Sequence, residues 1–163
     1  MKILSLVSII FTILILQGCN NNPEDEPSEA VPVEKVYPLI SNADFREKPI
    51  ISTKLYPQRR IIITSSAELG ILPSTYLKDN PGLMETDFQN NSIVVYAVIS
   101  NEIFTGFTPK ILHYKSQNLT NIYLTFNARG ESDILNEWVA VFECRHLPNS
   151  DIQIFRSTNE TEP

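Results

Sequence analysis

Few side chains in this sequence can do covalent or metal chemistry, and their spacing narrows the choice. The 163 residues hold two cysteines and two histidines: Cys19, Cys144, His113 and His146. Cys144-Arg145-His146 sets a thiol and an imidazole two residues apart. A thiolate next to an imidazole base is a nucleophile pair. A structural zinc needs four ligands, and nothing near this triplet completes the set. The sequence has no phosphate-cradling glycine loop, no Gly-x-Ser-x-Gly elbow and no His-Glu-x-x-His helix. Its acids are scattered, with no paired set near an aromatic platform. No catalytic residue, metal or cofactor is therefore expected. An enzyme using Cys144 with either histidine is the alternative.

The elements that carry these residues argue for packing. Glu137 to Cys144 alternates, with Trp138, Ala140, Phe142 and Cys144 on one side of a strand and Val139 and Val141 on the other. A thiol in that row reads as a core side chain. His113 falls in a strand from Lys110 to Lys115. Asn118 ends that strand, and Asn121 to Asn127 returns with Ile122, Leu124 and Phe126 inward and Asn121, Tyr123 and Thr125 outward.

Earlier in the chain, Val36 to Phe45 carries scattered apolar residues that tuck onto the domain. Pro49 to Leu55 predicts a short edge strand with Pro49 at its start. Arg59 to Thr64 predicts a strand buried on both sides, because Ile61, Ile62 and Ile63 are β-branched in a row. Arg59 and Arg60 read as its solvated end, with anion binding the sharper option. Ser65 and Glu68 have capping-box spacing, so a helix starts there, kept short by Gly70 and Pro73 and closed by Asn80-Pro81-Gly82. Ser92 to Ser100 is the most apolar run after the amino-terminal region and predicts a central strand beside Ile61–Ile63. Asn101 to Thr108 reads as a loop that offers Phe104 and Phe107 to a partner, or folds them onto the core. Ala128 to Leu135 reads as a polar loop, Pro148-Asn149-Ser150 as a turn, and Asp151 to Phe155 as the last strand.

The remaining thiol belongs to the amino-terminal region. Lys2 is followed by an apolar stretch, Ile3 to Leu16, broken by Ser5, Ser8 and Thr12. Fourteen helical residues span about 21 Å, short of a bilayer core of about 30 Å. The stretch therefore suits a signal peptide better than a permanent span. Leu16-Gln17-Gly18-Cys19 follows, and this resembles the bacterial lipobox. The resemblance implies cleavage between Gly18 and Cys19, diacylglyceryl transfer to the Cys19 sulfur and acylation, such as palmitate, of the new amino terminus. Several acyl chains on one residue make a durable membrane anchor, where a single chain binds reversibly.

Residues 20–35 are rich in Asn, Pro and Glu and predict a disordered acidic tether. Asn20 occupies the place where aspartate often retains lipoproteins at the inner membrane, which points to the outer membrane. Glu24-Asp25-Glu26 resembles acidic signals for export to the outer face, although a solvated charge run in a linker is the preferred reading. The formal charge is −6, and cleavage at Cys19 removes one lysine and no acid. An acidic chain with no basic cluster is a poor ligand for nucleic acid.

The order strand, Ser-x-x-Glu-Leu helix, Asp-Phe, apolar strand resembles small lipoprotein domains of the protease-complex-stabilising PrcB type. It is carried by Ile62 to Leu69, Asp87-Phe88 and Ile93-Val94-Val95, within a region from Arg60 to Phe155. The resemblance implies a non-catalytic accessory domain that binds other envelope proteins.

The expected organisation is a signal peptide over 1–18, a lipidated cysteine and tether over 19–35, one small globular domain over 36–157 and a frayed end over 158–163. The domain is α+β, mainly antiparallel sheet with one short helix. The expected function is a lipid-anchored cell-envelope protein with a binding or accessory domain. Its partners would be the membrane, through Cys19, and an envelope protein contacted by Phe104 and Phe107. A purely structural lipoprotein is a further alternative.

Overall fold

The computed structural model describes residues 28–43 and 60–160. The expected signal peptide, Gly18, Cys19, most of the expected tether, Phe45, the edge strand expected over Pro49–Leu55 and Arg59 lie outside the described residues.

Two long strands dominate. β5 (Asn91–Tyr114) and β6 (Leu119–Arg145) form an antiparallel hairpin, turning through Asn118, whose φ is +49°. Asparagine tolerates this left-handed conformation better than most side chains. The root of the hairpin pairs Asn91–Ser100 with Asn136–Arg145, and its tip pairs Gly106–Tyr114 with Leu119–Asn127. Between the two ladders, residues 101–105 of β5 face residues 128–135 of β6, so β6 carries the excess. Surplus residues on one strand bend a ladder and sharpen its twist. Here they fold the hairpin onto itself, with Gly130 at φ +79° in the corner.

The aromatic contacts record that fold. Phe104 in the corner and Phe107 just beyond it meet Trp138 and Phe142 of the root at ring-centroid distances of 5.4 and 6.2 Å. Phe126 lies 4.7 Å from Phe104 and 5.9 Å from Phe107. The inner face thus buries Val94, Val98, Trp138, Ala140, Phe142 and Cys144 of the root against Ile111, Ile122, Leu124 and Phe126 of the tip.

The other face of the root carries Ile93, Val95, Ala97, Val139 and Val141. It is covered by the connection between β4 (Arg60–Ile63) and β5, which holds a 3-10 turn (Ser66–Ile71), helix α1 (Ser74–Asp79) and a second 3-10 turn (Pro81–Leu83). Leu69, Leu72, Tyr76 and Leu83 supply its buried side. The Glu68 carboxylate accepts the N–H groups of Thr64 and Ser65 at 2.7 and 3.1 Å, as the capping spacing predicts. β4 pairs with β5 from Arg60↔Tyr96 to Ile63↔Ile93, the predicted neighbour.

Short strands close the edges. β1 (Glu29–Ala30) pairs with the tip of β5, and β2 (Val33–Val36) pairs with the root of β6. Two residues separate β1 from β2, so tip and root must lie side by side there. β3 (Ile40–Asn42) extends the β6 edge. β7 (Asp151–Glu160) runs parallel to the first part of β6. A parallel neighbour ordinarily needs a crossover of a dozen or more residues. Residues 146–150 suffice because folded β6 ends near its own beginning, and the Asp151 N–H reaches the Asn118 carbonyl at 3.0 Å.

The result is the expected α+β domain, mainly antiparallel sheet with short helical pieces. Four expectations are corrected. Asn101–Thr108 and Ala128–Leu135 are strand rather than loop: their glycines and polar residues mark the bulged corner, where the ladder bends without ending. Glu29–Lys35 is not tether, because the sheet edges supply hydrogen bonds and the inner core takes Val31 and Val33. β7 continues to Glu160 rather than fraying from 158, held by its ladder to β6.

A fully buried ring at the seam and an exposed one on β7 should behave differently. Phe126→Ala is expected to lower stability by about 3–5 kcal/mol. Phe155→Ala, at a ring 43% exposed and stacked on Tyr123, should cost less than about 1 kcal/mol. Urea unfolding midpoints of the two variants test this.

Candidate functional site

Folding the hairpin in half brings its tip to its root. On the tip, strand alternation continues the inward row Phe107, Ile111 to His113, which faces Thr120 across the ladder. On the root, Ser92 faces Cys144, and the chain runs on through Arg145 to His146. Where these ends meet lies a cavity of about 380 Å³, at the lower end of the size range of small-molecule sites. It is lined by Glu29, Ala30, Val31, Pro32 and Pro148, with His113, Lys115, Arg145 and His146.

His113 is 8% exposed, and its Nδ1 lies 3.1 Å from Thr120 Oγ1. Thr120 Oγ1 lies 2.6 Å from Ser150 Oγ, which lies 3.2 Å from the Pro148 carbonyl. A carbonyl only accepts, and each hydroxyl has one proton. All three contacts are hydrogen bonds at once only if Ser150 donates to Pro148, Thr120 donates to Ser150, and His113 Nδ1–H donates to Thr120. The network thereby assigns the Nδ1–H tautomer and leaves Nε2 outside the relay, in a ring that lines the cavity.

His146 is exposed, and its Nδ1 lies 2.8 Å from the Ser92 hydroxyl. Ser92 is almost wholly buried, so this serine orients the ring and offers no face to a substrate. The Asp87 carboxyl is held below the usual carboxylate range by the Asn90 amide and the Gln89 N–H, with smaller help from His146 and Arg145.

The two cations at the rim have acidic partners. Lys115 Nζ is 2.6 Å from Glu29 Oε2, and Arg145 Nε is 2.8 Å from Glu34 Oε1. The hydrogen bond from Lys115, then its charge, pulls the Glu29 carboxyl down. Such exposed pairs stabilise little, so an incoming anion can compete for the cations.

The thiol of the proposed nucleophile pair faces elsewhere. Cys144 is 0% exposed within the inner core. Burial first, then the negative charges of Glu143 and Glu34, push its pKa up to about 12. Phe104 and Phe107 are 4% and 8% exposed, and the partner-contact expectation for them is corrected. They sit where the corner turns inward, and their rings hold the two halves together. Among the described residues no group of three or more His, Cys, Asp and Glu side chains could hold a metal ion.

A second buried polar centre fastens the outer layer. Glu143 accepts hydrogen bonds from Asn91 Nδ2 at 2.7 Å and from the hydroxyls of Tyr37 and Thr86 at 3.3 Å each. Burial, then the Glu143 charge, raises the Tyr37 pKa to about 12.

The sequence reading named His113 and His146 only as partners for Cys144, and missed Thr120, Ser150 and Lys115. The alternation through Ile111 was the available signal for His113. Comparison of the chain with protein-family models, with curated proteins and with solved structures finds no match.

Two outcomes follow for Cys144. A disulfide-exchange thiol reagent should leave it unmodified in the folded protein and label it in urea. Its folded pKa lies above the ordinary value of 9.0, so the native state holds its proton where the unfolded chain releases it. Stability should therefore fall as pH rises from about 9 towards 12, with Tyr37 acting in the same direction. Cys144→Ala should flatten this dependence, as followed by urea unfolding at stepped pH.

Proposed function

We propose that this chain is a lipid-anchored protein of the cell envelope whose domain binds a partner or ligand and does not transform it. The observation that carries the reading is Leu16-Gln17-Gly18-Cys19 behind fourteen mostly apolar residues. Among the described residues no helix is long and apolar enough to cross a membrane, which is compatible with attachment through acyl chains. The sealed thiol of Cys144 and the buried hydroxyl of Ser92 support binding over nucleophilic catalysis. The resemblance to PrcB-type accessory domains points the same way. Asn20 after the acylated cysteine favours the outer membrane.

Nine residues separate Cys19 from β1, a distance of at most about 30 Å when fully extended. The cavity is lined by Glu29 to Pro32, so it belongs to the end of the domain nearest the anchor.

Mass spectrometry of the protein purified from its native host tests the reading. The amino-terminal peptide should begin at Cys19 and carry diacylglyceryl and acyl mass, and Cys19→Ser should release the protein from the membrane fraction. An unmodified Cys19 in native material would overturn it.

A further inference from the structure

We infer that the cavity between the hairpin tip and root is a binding site for a small carboxylate with a short apolar body, taken up more tightly as His113 becomes protonated. This rests on the reading of the domain as a binding module and names its ligand class.

The argument starts from a buried ring held by one edge. The Thr120–Ser150–Pro148 network fixes His113 through Nδ1, so Nε2 can serve the cavity. A neutral ring presents a lone pair there, and an imidazolium presents an N–H donor. A carboxylate oxygen suits that donor, and a charge-assisted hydrogen bond is the stronger kind.

The surrounding charges complete the case. Glu29 from β1 and Glu34 from β2 stand against Lys115 beyond β5 and Arg145 of β6, in two exposed pairs. His146, beside Asp87, is a further titratable pair at this end, and Asp151 follows Ser150 at the start of β7. The two ion pairs cancel formally and Asp87, outside the cavity lining, keeps its negative charge, so protonation of His113 adds one positive charge at the cavity itself. Each rim cation can also shift from its glutamate towards a bound anion. Ala30, Val31, Pro32 and Pro148 form an apolar wall, which suits a short hydrocarbon body. Few free donors and much apolar lining fit a singly charged carboxylate better than a phosphate, which needs more donors.

The chain has only two histidines, so its ring signals can be followed individually. Mature lipidated protein in detergent micelles is titrated with butyrate, and with butyramide as the neutral isostere, by proton–carbon NMR between pH 5.5 and 8. Butyrate should move the His113 signal and bind about tenfold more tightly at the lower pH. Butyramide should do neither. Lys115→Gln, at an exposed position, should weaken butyrate binding with the fold intact, and His113→Gln should remove most of the pH dependence, leaving only what His146 contributes. If His113→Gln does not fold, the wild-type His113 signal decides alone. A His113 signal unmoved by butyrate, or moved equally by butyramide, overturns the ligand class. That failure leaves acylation of Cys19 unaffected, so the two readings fall separately.

Discussion

The structure depends on keeping one bent surface dry. A two-stranded hairpin of this length has two faces and cannot bury both by itself. Bending it in half lets the inner face of the root cover the inner face of the tip, so Phe104, Phe107, Phe126, Trp138 and Phe142 exclude water from each other. Large aromatic rings supply more buried area per residue than aliphatic side chains. Tilted and edge-on contacts let them interlock across a corner where the backbone ladder is irregular. The unequal residue count across the corner and the rings beyond it are therefore one device: the bulge permits the bend, and the rings hold it.

The remaining topology follows from that bend. Once tip and root are adjacent, a two-residue link suffices between β1 and β2, and five residues reach from β6 to a parallel β7. On the opposite side, the Arg60 guanidinium of β4 donates to the Ile152 carbonyl of β7, tying the two outer strands. The outer face of the root is covered by the helical connection, and Glu143 joins that layer to the sheet through Thr86, Tyr37 and Asn91. A buried carboxylate with three donors is a stable arrangement, whereas loss of those donors would leave it costly.

Local pattern made much of the sheet legible. Val139 and Val141 against Trp138, Ala140, Phe142 and Cys144 announced a strand packed on one face and partly buried on the other, and both cores use them. Ile61 to Ile63 announced a neighbour for Ser92–Ser100, and Glu68 announced a helical start. The corner was illegible because Asn101, Thr105, Gly106 and Gly130 have loop chemistry, while the residues that pair there, Glu102, Phe104 and Gly106, find partners more than twenty residues away. Glu29–Lys35 was illegible for a related reason. Its own side chains offer little to bury, and its order comes from edges supplied by β5 and β6. The cavity was hidden longest, since His113 and His146 approach only after the hairpin folds, although alternation from Ile111 already placed His113 on the inner face.

That placement bears on why the inner face turns polar at its end. Strand alternation gives His113 and Thr120 inward positions whatever their chemistry. Apolar residues there would extend the core and need no partners, and such replacements commonly match or exceed a polar cluster in stability. Instead the row ends in an imidazole, whose Nδ1 is fixed by a hydroxyl relay reaching the Pro148 carbonyl. A relay of this kind satisfies one edge of the ring and orients the other. Stability alone would not require it, whereas a site that must hold a proton at a defined atom would. The same bend that seals Cys144 from solvent therefore brings His146, just past the end of β6, to the cavity that His113 of β5 lines.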